Sequence, residues 1–316
     1  MRSTSRAAAL ALIVLFAVGA CTSGGATPTP VPATPAPASP TPASAAPPTP
    51  TPTPDACAKA NLTLVTPGKL TIGTDNPAYP PYFAAKDGGN TPPWDPAQGD
   101  PNSGKGFESA VGYAIAGKLG FAASEVTWVV VPFNNSYAPG PKTFDLDLNQ
   151  VSYKPERAQT ADLSDGYYFG AQTVVTLKSS PFAKATTVTE LQGAKFGAQV
   201  GTTSYDAIVN VIKPTKQPSV YDTNDAAITA LKTKQIDAIV VDLPTADFIV
   251  NVELDGSVIV GQLDQGTPEH FSAVLAKGSA LTPCVNAAIK ALTDDGTLKT
   301  LVDTWLPFSG TPVLKP

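Results

Sequence analysis

The sequence predicts an α/β protein of two lobes, each a mainly parallel sheet flanked by helices, with the second lobe inserted into the first. Short β-branched or apolar runs at 70–73, 126–131, 195–200 and 236–241 alternate with helix-periodic stretches at 110–119, 204–212 and 226–232. Strands that alternate with helices build parallel sheets covered on both faces. The runs at 126–131 and 236–241 are almost wholly apolar, which suits strands buried on both sides. About 255 residues follow a low-complexity leader, enough for two lobes of ordinary size.

Residues 1–20 have the layout of a secretory signal: Arg2 and Arg6, an apolar run from Ala7 to Val18, then Gly19 and Ala20. That run is shorter than the ~20 apolar residues a membrane-spanning helix needs, so an exported chain is expected. Val18-Gly19-Ala20-Cys21 resembles the lipobox of bacterial lipoproteins, which implies a lipid on Cys21 and anchoring to the cell-surface or periplasmic face of a membrane. Ordinary cleavage, leaving Cys21 as a free thiol, is the alternative. Residues 21–56 are rich in Thr, Pro, Ala and Ser, and between Thr22 and Pro54 no residue is charged. Such a segment buries too little apolar surface to offset its ordering entropy and is expected to be an extended tether reaching roughly 100 Å.

With Cys21 lipidated, Cys57 and Cys284 remain as a pair in an oxidising compartment, and a disulfide is their expected state; two buried thiols are the alternative. His270 is the only histidine and no CxxC occurs, so no zinc site, other metal or cofactor is expected. The formal charge of −5 comes from scattered residues with no basic cluster, which argues against a nucleic-acid face.

The first lobe is expected to comprise residues 57–173 and 272–316, and the second 174–271. Extended-looking runs at 172–177 and 271–276 read as the two crossings between them. A last helix at 297–301 and the Trp305 region close the first lobe, and the Gly- and Pro-rich loop 87–105 lies on the surface.

Several residues carry candidate chemistry. Arg157 offers a planar cation that grips a carboxylate with two parallel hydrogen bonds. Gly201-Thr202-Thr203-Ser204 opens a helix and presents unpaired backbone N–H groups suited to an anion, or else supplies an N-cap. Asp242 ends an apolar strand, where α/β sheets bind ligands; it suits an ammonium group, or else caps the helix after Pro244. Asp75 holds a similar place in the other lobe, beside an aromatic wall of Tyr79 and Tyr82. The alternating pair Asp145 and Asp147 reads as solvated or turn-facing.

In order along the chain, Gly73-Thr74-Asp75, Tyr79-Pro80-Pro81-Tyr82, Gly106-Phe107-Glu108, Lys154-Pro155-Glu156-Arg157, Gly201-Thr202-Thr203 and Asp242-Leu243-Pro244-Thr245-Ala246-Asp247 resemble the polar amino acid-binding proteins of ABC importers, over about residues 62–307. The resemblance implies a periplasmic-binding-protein fold, closing like a Venus flytrap, that binds a free amino acid as a monomer and delivers it to importer permease subunits. It implies Arg157 on the ligand carboxylate, assisted by Thr203 and Ser152, and Asp242 on the ammonium. Tyr79 would face the ligand side chain, with Asp75, Gln150, Thr202, Phe107, Phe133, Tyr82 and Gln199 around it. The sequence departs from the family at Asn149, Gln150 and Val151, at Tyr153, and at an apparent insertion of Asn76. Asp75 hints at a basic ligand side chain and Gln199 at a polar one.

Two other classes fit the same fold: an enzyme of the dehydratase or lyase kind, for which His270 is a poor general base, and a ligand sensor acting through a separate membrane partner.

Overall fold

The alternation of strand and helix signals is realised along the whole folded part. The computed structural model describes residues 55–308 and 310–316; the expected signal, Cys21 and the tether up to residue 54 lie outside the described residues. In chain order come β1 (Leu70–Thr74), α1 (Phe107–Lys118), β2 (Val126–Val130), α2 (Phe133–Ser136), β3 (Leu146–Asp147), α3 (Arg157–Thr160), β4 (Ala161–Gly170) and β5 (Gln172–Leu177). They are followed by α4 (Val188–Leu191), β6 (Phe196–Gln199), α5 (Thr203–Ala207), β7 (Ser219–Tyr221), α6 (Asn224–Lys232), β8 (Ala238–Asp242), α7 (Leu243–Phe248), β9 (Ser257–Gln262), β10 (Glu269–Ala276), α8 (Thr282–Asp294) and α9 (Thr297–Trp305).

Two five-stranded sheets result, ordered β2-β1-β3-β10-β4 and β7-β6-β8-β5-β9. β1 runs parallel to β2 and β3, and β6 parallel to β7 and β8. β10 is antiparallel to β3 and β4, and β5 to β8 and β9. Each sheet is mixed: four of its five strands point the same way, and one, β10 or β5, runs against them. The strand entered after each lobe crossing, β5 and then β10, is the one that runs against its neighbours. β2 was expected to be buried on both faces, but it lies at a sheet edge with Val130 39% exposed.

The first core gathers Leu70, Ile72, Val111, Ile115, Leu146 and Leu148 under α1, α8 and α9. Gly106 precedes α1 with φ 93°, and a Cβ there would lie 2.6 Å from the Tyr82 carbonyl oxygen, so only glycine fits this approach. The amphipathic helix α8, which the sequence reading passed over, buries Val285, Ala288, Ile289 and Leu292. The second sheet has apolar clusters on both faces, one around Phe196, Ile208 and Val240 and one around Leu231, Ile239 and Ile249.

The crossings lie elsewhere than expected. Gln172–Leu177 is an inner strand of the second sheet, and 271–276 belongs to the first sheet. The chain crosses at Ala171, between β4 and β5, and again through 263–268, between β9 and β10. Apolar extended runs look alike whether they cross between lobes or sit inside a sheet. The C-terminal tail, expected with the first lobe, bridges Gln262 through Val313 and Thr187 through Lys315, and buries Leu314 in the second lobe's core.

Asp145 and Asp147 are buried, not solvated. Asp145 accepts backbone N–H bonds from Val65 and Thr71, both at 2.7 Å. Asp147 is 0% exposed, and neither carboxylate oxygen has a hydrogen-bond partner among the described residues. Burial holds its pKa well above the ordinary carboxyl range, and Glu108 and Asp75 push it the same way.

Cys57 and Cys284 are joined with Cα atoms 5.3 Å apart, across 227 residues of sequence. Replacing both by Ser should lower the unfolding free energy by about 2–4 kcal/mol, read as a lower urea midpoint. An unchanged midpoint would show that the bond adds nothing. For Asp147 the sign follows from its raised pKa. The stability it contributes is fully present below its unfolded value, near 4, and drains as pH rises. Asp147→Asn should therefore raise the melting temperature at pH 8 and change it little at pH 4.

Candidate functional site

The carboxyl ends of β1, β3, β6 and β8 converge between the two sheets, where open α/β folds bind ligands. They enclose a cavity of about 60 Å³ lined by Asp75, Tyr79, Phe133, Gln150, Ser152 and Arg157 from one side and Gln199, Thr202, Thr203 and Asp242 from the other. The structure thus brings ten of the sequence candidates to one wall. The other two are placed differently. Phe107 is a core residue between Tyr167 and Tyr168, and Tyr82 is 1% exposed with its hydroxyl 3.1 Å from Thr245 Oγ1. Asn149, Ser204, Asn224, Val241 and Thr245 complete the lining. All sit within two or three residues of a motif already noted or, for Asn224, at a helix start. A larger hollow of about 660 Å³ lies beside the hinge against Phe169, Leu263, Val302 and Phe308, but no set of charged groups converges there.

Arg157 begins α3 and is 5% exposed. Its guanidinium donates to the carbonyl of Ser152 in its own lobe and to the carbonyl of Gly201, at 2.9 Å, in the other. It also lies over the rings of Phe133 and Tyr137, 5.3 and 4.6 Å from their centroids. Both hydrogen-bond partners are neutral, so donors and charge remain for an anion. Gly201 has φ 77°, and a Cβ there would come within 2.7 Å of Asn134 Oδ1, so glycine lets the lobes meet this closely.

The two readings of the helix-opening turn separate by residue. Thr202 is the N-cap: its Oγ1 accepts from Tyr205 N at 3.3 Å. The Thr203 hydroxyl instead reaches Ser152 Oγ at 3.3 Å. Asp242 occupies the N-cap position of α7 but makes no capping bond, so the capping alternative fails. Its Oδ1 accepts from Gln172 Nε2 at 2.8 Å. Burial, with Glu269 nearby, pushes the Asp242 pKa up to about 8.

Asp75 is held by backbone N–H groups of Asn76 and Phe133, at 2.8 and 3.2 Å. Its ion-pairing capacity is unused among the described residues. Behind the wall, buried Glu108 accepts from Gln150 N at 2.8 Å and from the Gln150 amide and the Tyr167 hydroxyl. These bonds hold Gln150 at φ 49°, a left-handed conformation uncommon outside glycine. His270 lies away from the cavity, stacked on Tyr153 at 5.5 Å. Contacts from lobe to lobe, namely Arg157 with Gly201, Tyr82 with Thr245, Ser152 with Thr203 and Lys154 with Asp206, make this a closed arrangement.

Among relatives, the chain is 28% identical over 252 residues to a probable histidine-binding protein of Campylobacter jejuni, covering 78% of this chain and 87% of that one. It superposes on an ancestral arginine-binding protein bound to arginine with a TM-score of 0.60 at 25% identity, over 75% of this chain and 98% of that one. The substrate-binding protein of an amino acid ABC transporter gives a TM-score of 0.61 at 25% identity, over 76% of this chain and 100% of that one. The family model of the bacterial extracellular solute-binding proteins, family 3, matches residues 70–308, spanning the cavity and both sheets, and the chain belongs to that family.

Proposed function

We propose that the protein captures a free amino acid with a cationic side chain between its lobes and presents it to the permease of an ABC importer, acting as a monomer tethered through a lipid on Cys21. The observation that carries this reading is the charge balance of the cavity wall: one cation, Arg157, against two carboxylates, Asp75 and Asp242. A zwitterion matches Arg157 with its carboxylate and Asp242 with its ammonium, since burying either charge unpaired costs several kcal/mol. Asp75 is then left over, beside Tyr79, and a positively charged ligand side chain is what would neutralise it. The arginine- and histidine-binding relatives support the same choice. Each lobe supplies one charge, so the ligand favours the closed state, as a population shift requires. The family and its amino acid-binding relatives support reading the protein as a carrier rather than an enzyme.

Calorimetry of the purified protein against the twenty amino acids should find arginine, lysine or histidine bound most tightly; absence of binding by all of them would sink the proposal. Arg157→Ala should weaken that binding by about 2–5 kcal/mol without lowering the melting temperature comparably. Asp75→Asn should shift preference from cationic amino acids toward neutral polar ones, whereas an unchanged ranking would remove Asp75 from side-chain recognition.

A further inference from the structure

Where the chain crosses between lobes, a single side-chain amide is asked to satisfy more acceptors than it has hydrogens. Gln172, the first residue after the crossing at Ala171, is 0% exposed. Its Nε2 lies 2.8 Å from Asp242 Oδ1, 3.1 Å from Glu269 Oε2 and 3.2 Å from Thr203 Oγ1. An amide nitrogen carries two hydrogens, and only the Thr203 hydroxyl can turn to donate elsewhere. Two carboxylates thus share one neutral donor group, while Gln172 Oε1 is buried with no donor of its own among the described residues. The junction is short of protons. It also joins both crossings, because Glu269 is the first residue of β10 after the return segment.

Asp242 faces the closed cleft and shares its one amide donor with a second carboxylate, so without a cation beside it its ionised form is disfavoured. We propose that in the ligand-free protein Asp242 keeps a proton, with the Glu269 carboxylate on the same Gln172 amide helping to retain it, and that the ligand's ammonium displaces it, making capture proton-releasing. The inference rests on Asp242 as the ammonium site. The ammonium enters already charged and brings its own N–H donors; the carboxyl O–H bond breaks, its electron pair stays on the carboxylate oxygen, and the proton passes to solvent. Glu269 does not line the cavity and acts through Asp242, so it is a positioning residue.

The groups facing this pair set the direction. Tyr82 and Tyr168 stay neutral, because burial and Asp242 raise their pKa values, and neither draws the proton away. Arg157, near both carboxylates and with Asp206 on its other side, opposes proton retention. His270, next to Glu269, is pushed toward its neutral form by burial. Burial and mutual repulsion outweigh Arg157, and the Asp242 pKa rises to about 8.

Carboxyl carbon NMR titration of the ligand-free protein tests this without any ligand. Asp242 should titrate above the ordinary carboxyl range, and in Glu269→Gln its step should fall. Titration of Asp242 near pH 4 would overturn the proposal. Calorimetry with arginine, in buffers of different ionisation enthalpy, should then show proton release at pH 7. Affinity should rise by up to about tenfold per pH unit between pH 6 and 8 and flatten above, as expected for one displaced proton. Glu269→Gln should still bind, with the pH dependence moved to lower pH. Binding without proton release would also overturn it. Failure of every amino acid to bind would strike the ammonium assignment, leaving the NMR titration to decide whether Asp242 keeps its proton.

Discussion

A buried guanidinium without a carboxylate is the constraint around which this molecule is arranged. Arg157 is almost fully enclosed, and its hydrogen bonds go to two backbone carbonyls and its flat faces to aromatic rings. Carbonyl dipoles and ring quadrupoles soften the cost of removing a cation from water, but they do not cancel its charge. The scaffold therefore keeps a binding potential in reserve. One of those carbonyls belongs to Gly201 across the cleft, so the same guanidinium that awaits an anion also reports whether the lobes are together.

Closure is built from neutral or exposed pairs, and this follows from the same constraint. The Tyr82–Thr245 and Ser152–Thr203 contacts are hydroxyl to hydroxyl, each worth about 1 kcal/mol at most. The Lys154–Asp206 pair is partly solvated and correspondingly weak. A strong buried ion pair across the cleft would shut the lobes with or without ligand. Leaving the buried Arg157 cation unmatched makes the closed state depend on what arrives, which is what a capture protein needs.

Much of this was legible in the sequence because it rests on local signals. Short apolar or β-branched runs marked β1, β6 and β8, and the Gly201 turn and strand-ending Asp242 marked where cavity-lining residues emerge. What was not legible depends on partners distant in sequence. Tyr82 sits in an aromatic motif beside Tyr79, yet only Tyr79 lines the cavity, because Tyr82 packs on Phe271 and spends its hydroxyl on Thr245. Asp145 and Asp147 alternate as solvated residues would, but the face they point to is covered. Gln172 is one polar residue opening an apolar strand; its importance comes from Asp242, Thr203 and Glu269, none of which is near it in sequence.

The surplus of buried acid near the cleft completes the physical picture. Asp242, Glu108 and Asp147 are all raised by burial, the first two to about 8 and about 7. Raised carboxyls penalise the folded, ligand-free protein as pH rises, because the unfolded chain ionises them freely. Packing apolar residues at these positions would avoid that cost, so their presence calls for a compensating role. Glu108 has one in fixing the strained Gln150 at the cavity wall, and Asp242 has one facing Arg157 across it. A cationic ligand is the species that would relieve the acid surplus and neutralise Arg157 at once, since it carries a carboxylate at one end and positive charge at the others. Stability given up in the empty protein is in this way converted into preference for the filled one.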